Sequence, residues 1–222
     1  AEAALDLCLL ALRGIALPPQ ARDYALGTRA ITRDGDGDYQ ATAAEFLLQV
    51  TRRQHAAALG ADTAAPKQKI AVVLRRDASE LERRTQADLV AGGANRPQLE
   101  LTMVGAAAGD TDRIQALTDV LGRGFRVAVI LGGGNADLAA ACKTAMAQGV
   151  TILALHADLP ADACTYSVGN SNPDIGKLAG QTVRKLLPRG GIALELQAHA
   201  DSRAARDVHQ RFAQALSPTE PK

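Results

Sequence analysis

With 222 residues, 47% hydrophobic but only 3% aromatic and without Trp, the chain can hold one large domain, or one domain and part of another, around a core of Ala, Leu, Val and Ile. Its formal net charge of +1, with dispersed basic residues, leaves no electrostatic footprint for nucleic acid or an anionic membrane. No apolar run reaches the roughly 18 residues of a membrane span, and Cys8, Cys142 and Cys164, odd in number and without metal-ligand spacing, argue against a disulfide framework or a zinc site and read as core residues.

In chain order, AEAALDLCLLALRG reads as an amphipathic helix ended at Gly14, and LPPQ breaks it. YALGTRAIT then reads as a strand, RDGDGD as a turn, and YQATAAEFLLQVTRRQHAAA as a second helix. No basic-then-apolar signal segment opens the chain, which starts as a processed chain or an excerpt would. The stretch 59–69, rich in Ala with one Pro and two Lys, reads as a linker.

From Ile70 the pattern alternates. Short β-rich runs at 70–74, 99–105, 127–133, 151–155, 165–169 and 191–197 are separated by helical stretches, among them 111 to about 122, 136–148 and 173–187, and a last helix covers 202–216. Strands of four to seven residues between longer helices predict an α/β fold with a doubly wound, right-handed parallel sheet. Asp110 or Thr111 suits a helix cap, Gly149 a left-handed helix end, and Pro188 with Gly190 and Gly191 a stop.

Three chemical motifs come close and fall short. LGGGNADLAA has a glycine turn but lacks the spacing of a dinucleotide fingerprint, so a Rossmann-type enzyme is a minor alternative. Asp34, Asp36, Asp38 and Glu45 stand at the ligand positions of a calcium loop, yet Tyr39 occupies the place of its obligatory glycine, and an Asp/Gly turn explains the same residues. No hydrolase nucleophile or zinc-protease motif occurs, and His55, His156, His199 and His209 are scattered. Of these, His156 and His199 each follow a predicted strand, at the sheet edge where ligands bind in open α/β folds.

The ordered string from KIAVVLRRDASEL through GFRVAVILGGGNADLAAACKTAMAQGVTILALHADLP and TYSVGNSNPDIGKLAG to GGIALELQAHADSRAARD resembles the type I periplasmic binding proteins, the ribose-binding-like group, and the related sensor domains of lactose-repressor-type regulators. The resemblance implies a Rossmann-like first lobe over 68–165, the start of a second lobe over 166–217 and a tail at 218–222. Residues 1–58 look like the closing segment of the same fold, followed by a linker at 59–67. The tail of the fold thus precedes its head, as in an excerpt across two tandem modules, a permutation with a deletion, or a degenerate protein; the linker favours the first.

Carried over residue by residue, the resemblance implies ligand contacts from Asp77, Asn135, His156, Asp158, Asn172 and Arg206. His156 takes the place where the family tends to put an Asp, and Arg76, Asp77, Ala78 and Ser79 stand where it places aromatics. Asp77 and Asn135 also suit helix capping. The implied function is non-catalytic binding of a small polar solute, a sugar above all, in a hinged interlobe cleft, as the substrate-binding component of an ABC-type uptake system outside the cytoplasm. Its implied partners are an ABC permease or a chemoreceptor, with no cofactor, metal, nucleic acid or membrane span. A ligand-sensing domain of a regulator or receptor is the alternative.

Overall fold

The computed structural model describes residues 1–16, 23–26, 31–32, 35–36, 43–55, 67–75, 78–105, 110–197 and 202–217. In chain order these form α1 (Glu2–Leu12), β1 (Asp23–Leu26), β2 (Ile31–Thr32), β3 (Gly35–Asp36), α2 (Ala43–Gln54), β4 (Gln68–Val73), α3 (Glu80–Ala94), β5 (Leu99–Val104) and α4 (Asp110–Gly122). There follow β6 (Val127–Gly133), α5 (Ala136–Ala147), β7 (Thr151–Ala157), a 3-10 turn (Ala161–Ala163), β8 (Tyr166–Asn170), α6 (Asn172–Leu186) and α7 (Arg203–Leu216). Two compact units result: residues 1–25 with 43–169, and residues 26–42 with 170–222.

The sheet of the first unit has the strand order β1-β8-β7-β6-β4-β5, and the pairs from β5 through β8 are parallel. The expected doubly wound parallel α/β fold is therefore present. Its central strands are buried on both faces, β6 over Val127–Gly132 and β7 over Ile152–Leu155, which is why both read as continuous apolar runs. Side chains alternate between the two sides. Ala71, Val73, Ala128, Ile130, Ile152 and Ala154 join one core with Leu117 and Val120 of α4 and Leu138 and Cys142 of α5, while α1 and α3 pack against the opposite face.

The helix α1 departs from expectation. Residues Ala4 through Leu10 are buried consecutively, so it is a core helix and not an amphipathic surface one. Its one buried charge, Asp6, is matched: Arg96 Nη2 lies 2.9 Å from Asp6 Oδ1 and 2.5 Å from Glu2 Oε2, and Arg52 Nη1 lies 3.2 Å from Asp6 Oδ2. The same Arg96 donates to Gly92 O at 2.9 Å. Arg96 also holds the Glu2 carboxyl below its ordinary range through their hydrogen bond. One cluster of ion pairs thereby ties α1 and α2 to α3. Gly92 completes the α1–α3 contact, because a Cβ there would come within 2.8 Å of Leu5 Cδ1.

Other boundaries fall close to expectation. Gly149 has a left-handed φ of +85° and ends α5 as anticipated. Helix α4 begins at Asp110, so its cap lies outside the described residues. Of the strand expected over YALGTRAIT, the described residues form β1 and β2, and β2 pairs antiparallel with β3, which takes Gly35 and Asp36 from the stretch expected as a turn. The anticipated linker falls almost wholly outside the described residues.

In the second unit, α6 and α7 pack at glycines. A Cβ on Gly176 would overlap the Val208 carbonyl, and one on Gly180 would lie 2.8 Å from Phe212 O and 2.7 Å from Ala215 Cβ. Because 176 faces 208 and 212 while 180 faces 212 and 215, the two helices run parallel. The connection between them, 191–197, was expected as a strand and is not one. Ile192, Leu194 and Leu196 are 98%, 83% and 86% exposed, and no strand among the described residues pairs with the segment. Period-2 apolarity sets a strand's sides, but a strand also needs a neighbour to hydrogen-bond.

Two mutations test this packing. Asp6→Ala removes the buried carboxylate that Arg96 and Arg52 share, leaves Arg96 only Glu2 and the Gly92 carbonyl, and is expected to destabilise the protein by about 3 kcal/mol in chemical denaturation. Gly176→Ala, which forces the α6 and α7 backbones apart, is expected to cost about 1–3 kcal/mol, whereas Gly122→Ala, with open space around it, leaves the midpoint within error.

Candidate functional site

In a parallel sheet of this order, the chain reverses direction between β4 and β6, and ligands of open α/β sheets bind outside the carboxyl ends of the strands at such a point. The residues around that edge come from three connections. β6 ends in Gly132, Gly133 and Gly134, with φ of +65°, +53° and +158°, a path that favours glycine at each step. Their neighbours leave no room for side chains. A Cβ on Gly132 would overlap the Glu82 carboxylate, one on Gly133 would lie 2.7 Å from Arg75 Nη1 and 3.0 Å from Arg113 Nη2, and one on Gly134 would lie 2.6 Å from Asp158 O.

The glycine turn delivers Asn135. Its backbone is extended and its side-chain oxygen accepts from Leu138 N at 2.9 Å, capping α5. Across the turn, Asp158 N donates to Gly133 O at 2.8 Å, so the end of β7 is laced to the end of β6. β7 runs to Ala157, two residues beyond the expected end, so His156 sits within the strand and not after it; it is the one non-glycine described residue with a positive φ, +51°. Histidine tolerates that region better than branched residues, and such strain gathers at functional sites. Burial lowers the His156 pKa, with the amino terminus a smaller cause.

The structure thus gathers Asn135, His156 and Asp158 on one sheet edge. Asn172 and Arg206 belong to the other unit, where the parallel α6 and α7 place them at the same end of the helix pair: Asn172 opens α6 behind its cap Ser171, and Arg206 lies in the first turn of α7 behind its cap Ser202. Asp77 lies outside the described residues, as do His199 and the calcium-loop positions Asp34 and Asp38. Among the described residues no group of three or more His, Cys, Asp or Glu comes together as a metal site. No described helix is long and apolar enough to cross a membrane.

Three charged residues at this edge are absent from the sequence-derived set. Glu82 closes a capping box with Ser79, whose backbone N–H donates to Glu82 Oε2 at 2.6 Å while Glu82 N–H donates to Ser79 Oγ at 3.2 Å. Its other oxygen lies 3.9 Å from Arg75 Nε. Arg113 is fully buried and donates to Gly132 O at 2.5 Å and Leu131 O at 3.3 Å, bracing the carbonyls ahead of the turn. Signals for two of them exist in the sequence. Ser79-x-x-Glu82 is a capping-box pattern, and Arg113 falls on the helical stripe of Ala116, Leu117 and Val120, where a charge calls for buried partners.

A family model described as periplasmic binding protein domain matches residues 70–222. The chain belongs to that family. No curated protein matches the chain, but solved structures of periplasmic binding proteins share its fold. One is an ABC transporter solute binding protein from Mycobacterium smegmatis with bound glycerol, 26% identical at a TM-score of 0.55, the match covering 69% of this chain and 53% of that one. Another is an ABC transporter solute binding protein from Burkholderia graminis in complex with D-arabinose, 16% identical at 0.58, covering 68% and 52%. A third is the fructose binding periplasmic domain of a hybrid two component system, 18% identical at 0.57, covering 67% and 49%. This periplasmic binding protein domain therefore spans about half the length of the structures it matches.

The lowered His156 pKa has a definite sign. The folded imidazole resists protonation, so it contributes stability that is present above the unfolded value of about 6.5 and is lost as pH falls through it, when the unfolded chain takes up the proton more readily. His156→Asn, which also accepts a positive φ, is expected to lose less stability than the parent between about pH 7.5 and pH 5 in parallel denaturant titrations.

Proposed function

We propose that this chain is a non-catalytic binding module for a small polar solute, a sugar above all, working outside the cytoplasm as the solute-binding component of an ABC-type uptake system. The observation that carries this reading is the carboxyl edge of the parallel sheet, where a glycine turn shaped by Glu82, Arg75 and Arg113 sets Asn135, His156 and Asp158 side by side next to the switch point. Such an edge offers hydroxyl groups a mixture of donors and acceptors. Family membership supports it, since these domains are binding proteins and not enzymes. On this reading residues 68–165 make the first ligand-binding lobe and 166–217 begin the second. Asp77, Asn135, His156, Asp158, Asn172 and Arg206 meet the ligand. An ABC permease or a chemoreceptor is the downstream partner.

One finding favours a second reading, a sensor domain, because a similar fold occurs as the periplasmic part of a two component system. Both readings share the solute and differ in whether the loaded domain delivers it or signals its presence.

A thermal-shift screen against pentoses, hexoses, polyols and nucleotides tests the shared part, since a ligand of the native state must raise Tm by mass action. One sugar is expected to raise Tm, with the rise lost in His156→Ala and in Arg206→Ala. A chain spanning half of its relatives should bind weakly, so the screen extends to about 50 mM. A cooperative melt that no sugar shifts overturns the sugar reading, and a shift with nucleotides alone moves the assignment to a nucleotide-binding enzyme.

A further inference from the structure

All three cysteines are buried, as expected of core residues, but they are not equivalent. Cys8 lies on α1, against the sheet face that α1 and α3 cover. Cys142 and Cys164 lie in the other core, together with Leu138, Ala139, Leu159 and Ala163. Cys142 is on the buried side of α5, and α5 packs on the 3-10 turn Ala161–Ala163, which leads directly into Cys164. The two stretches are also tied at the surface, where Lys143 Nζ, one residue after Cys142, meets Asp162 Oδ2, two residues before Cys164, at 2.6 Å. The Cys164 thiol donates to Pro160 O at 3.8 Å. Burial pushes the Cys142 thiol up to about 12, and negative charge on Cys164 is a second cause.

We propose that Cys142 and Cys164 are the two halves of one intramolecular disulfide, a modification site that staples α5 to the loop between β7 and β8. It rests on the proposed function only for the compartment, since oxidising surroundings outside the cytoplasm supply the oxidant. The oxidant is the disulfide of glutathione or of a thiol oxidase. A thiolate of one cysteine attacks that disulfide and releases one thiolate; the second cysteine, deprotonated, attacks the mixed disulfide and releases the other. Two thiols lose two electrons and two protons, and one disulfide is reduced. Burial disfavours the Cys142 thiolate in the folded state, so the bridge closes while the chain folds. The bridged loop begins at Asp158, so the bond would hold that part of the ligand edge.

The test is to refold the full 222-residue chain in a glutathione redox buffer and count thiols in denaturant. The count is expected to fall from three to one. Lys143 lies between the two cysteines, so trypsin releases 127–143 and 144–177 as separate peptides unless the bond links them. Linked peptides, two hydrogens lighter than their sum, with Cys8 unmodified in peptide 1–13, are the expected result. Reductant is expected to lower the Tm of the parent and leave that of Cys142→Ala unchanged. Three thiols after refolding, or a link that involves Cys8, would overturn the proposal. Thiol count and peptide map are read on the parent chain, so they decide even where Cys142→Ala fails to fold.

Discussion

A parallel strand cannot return to its neighbour through a tight turn, and once both its faces are apolar neither can be left wet. That constraint organises the first unit. The runs Val127–Leu131 and Ile152–Leu155 demand cover on two sides, and each crossover supplies a helix: α4 and α5 on one face, α3 on the other. One place on the second face is filled from elsewhere in the chain, by α1, whose burial over Ala4–Leu10 follows from the same demand. Taking Asp6 into that layer would be ruinous without Arg96 and Arg52, so the ion pairs are the condition on which α1 can serve as core.

The sheet edge inherits its order from this arrangement. Parallel strands end on one side, so the residues that follow β4, β6 and β7 meet there however far apart they stand in sequence. Arg113 reaches the edge from inside α4 and holds carbonyls that a glycine path would otherwise leave loosely placed. Glu82 is drawn in by its capping role at the start of α3, with its other, buried carboxylate oxygen toward Arg75. Structural duties thus place charged groups at the sheet edge itself, around the glycine turn.

Much of this was legible in the residues. VAVILGG and the helix after it fall within a residue of β6 and α5 because apolar continuity, glycine and an Asn cap act locally. Asn135, His156 and Asp158 were legible as an edge because strand ends were. The depth of α1 was not, since its helical period cannot tell a surface stripe from a helix buried nearly all round. Arg113 escapes a sequence reading for a related reason: its partners are backbone carbonyls 18 and 19 residues away. GIALELQ shows the opposite failure, a local pattern that announces a strand where the described chain has no ladder to receive it. Parallel α6 and α7 on either side of it have the geometry of helices flanking a strand.

The turn at Gly132, Gly133 and Gly134 bears on how such a domain could change what it binds. Each position combines a positive φ with a neighbour that fills the space a side chain would need: Glu82, Arg75 with Arg113, and the Asp158 backbone. Substitution there is penalised twice, by backbone and by collision, so the turn resists change on two independent grounds. On the proposed reading, a change of ligand preference runs more freely through Asp158 than through His156, whose own positive φ narrows what can replace it.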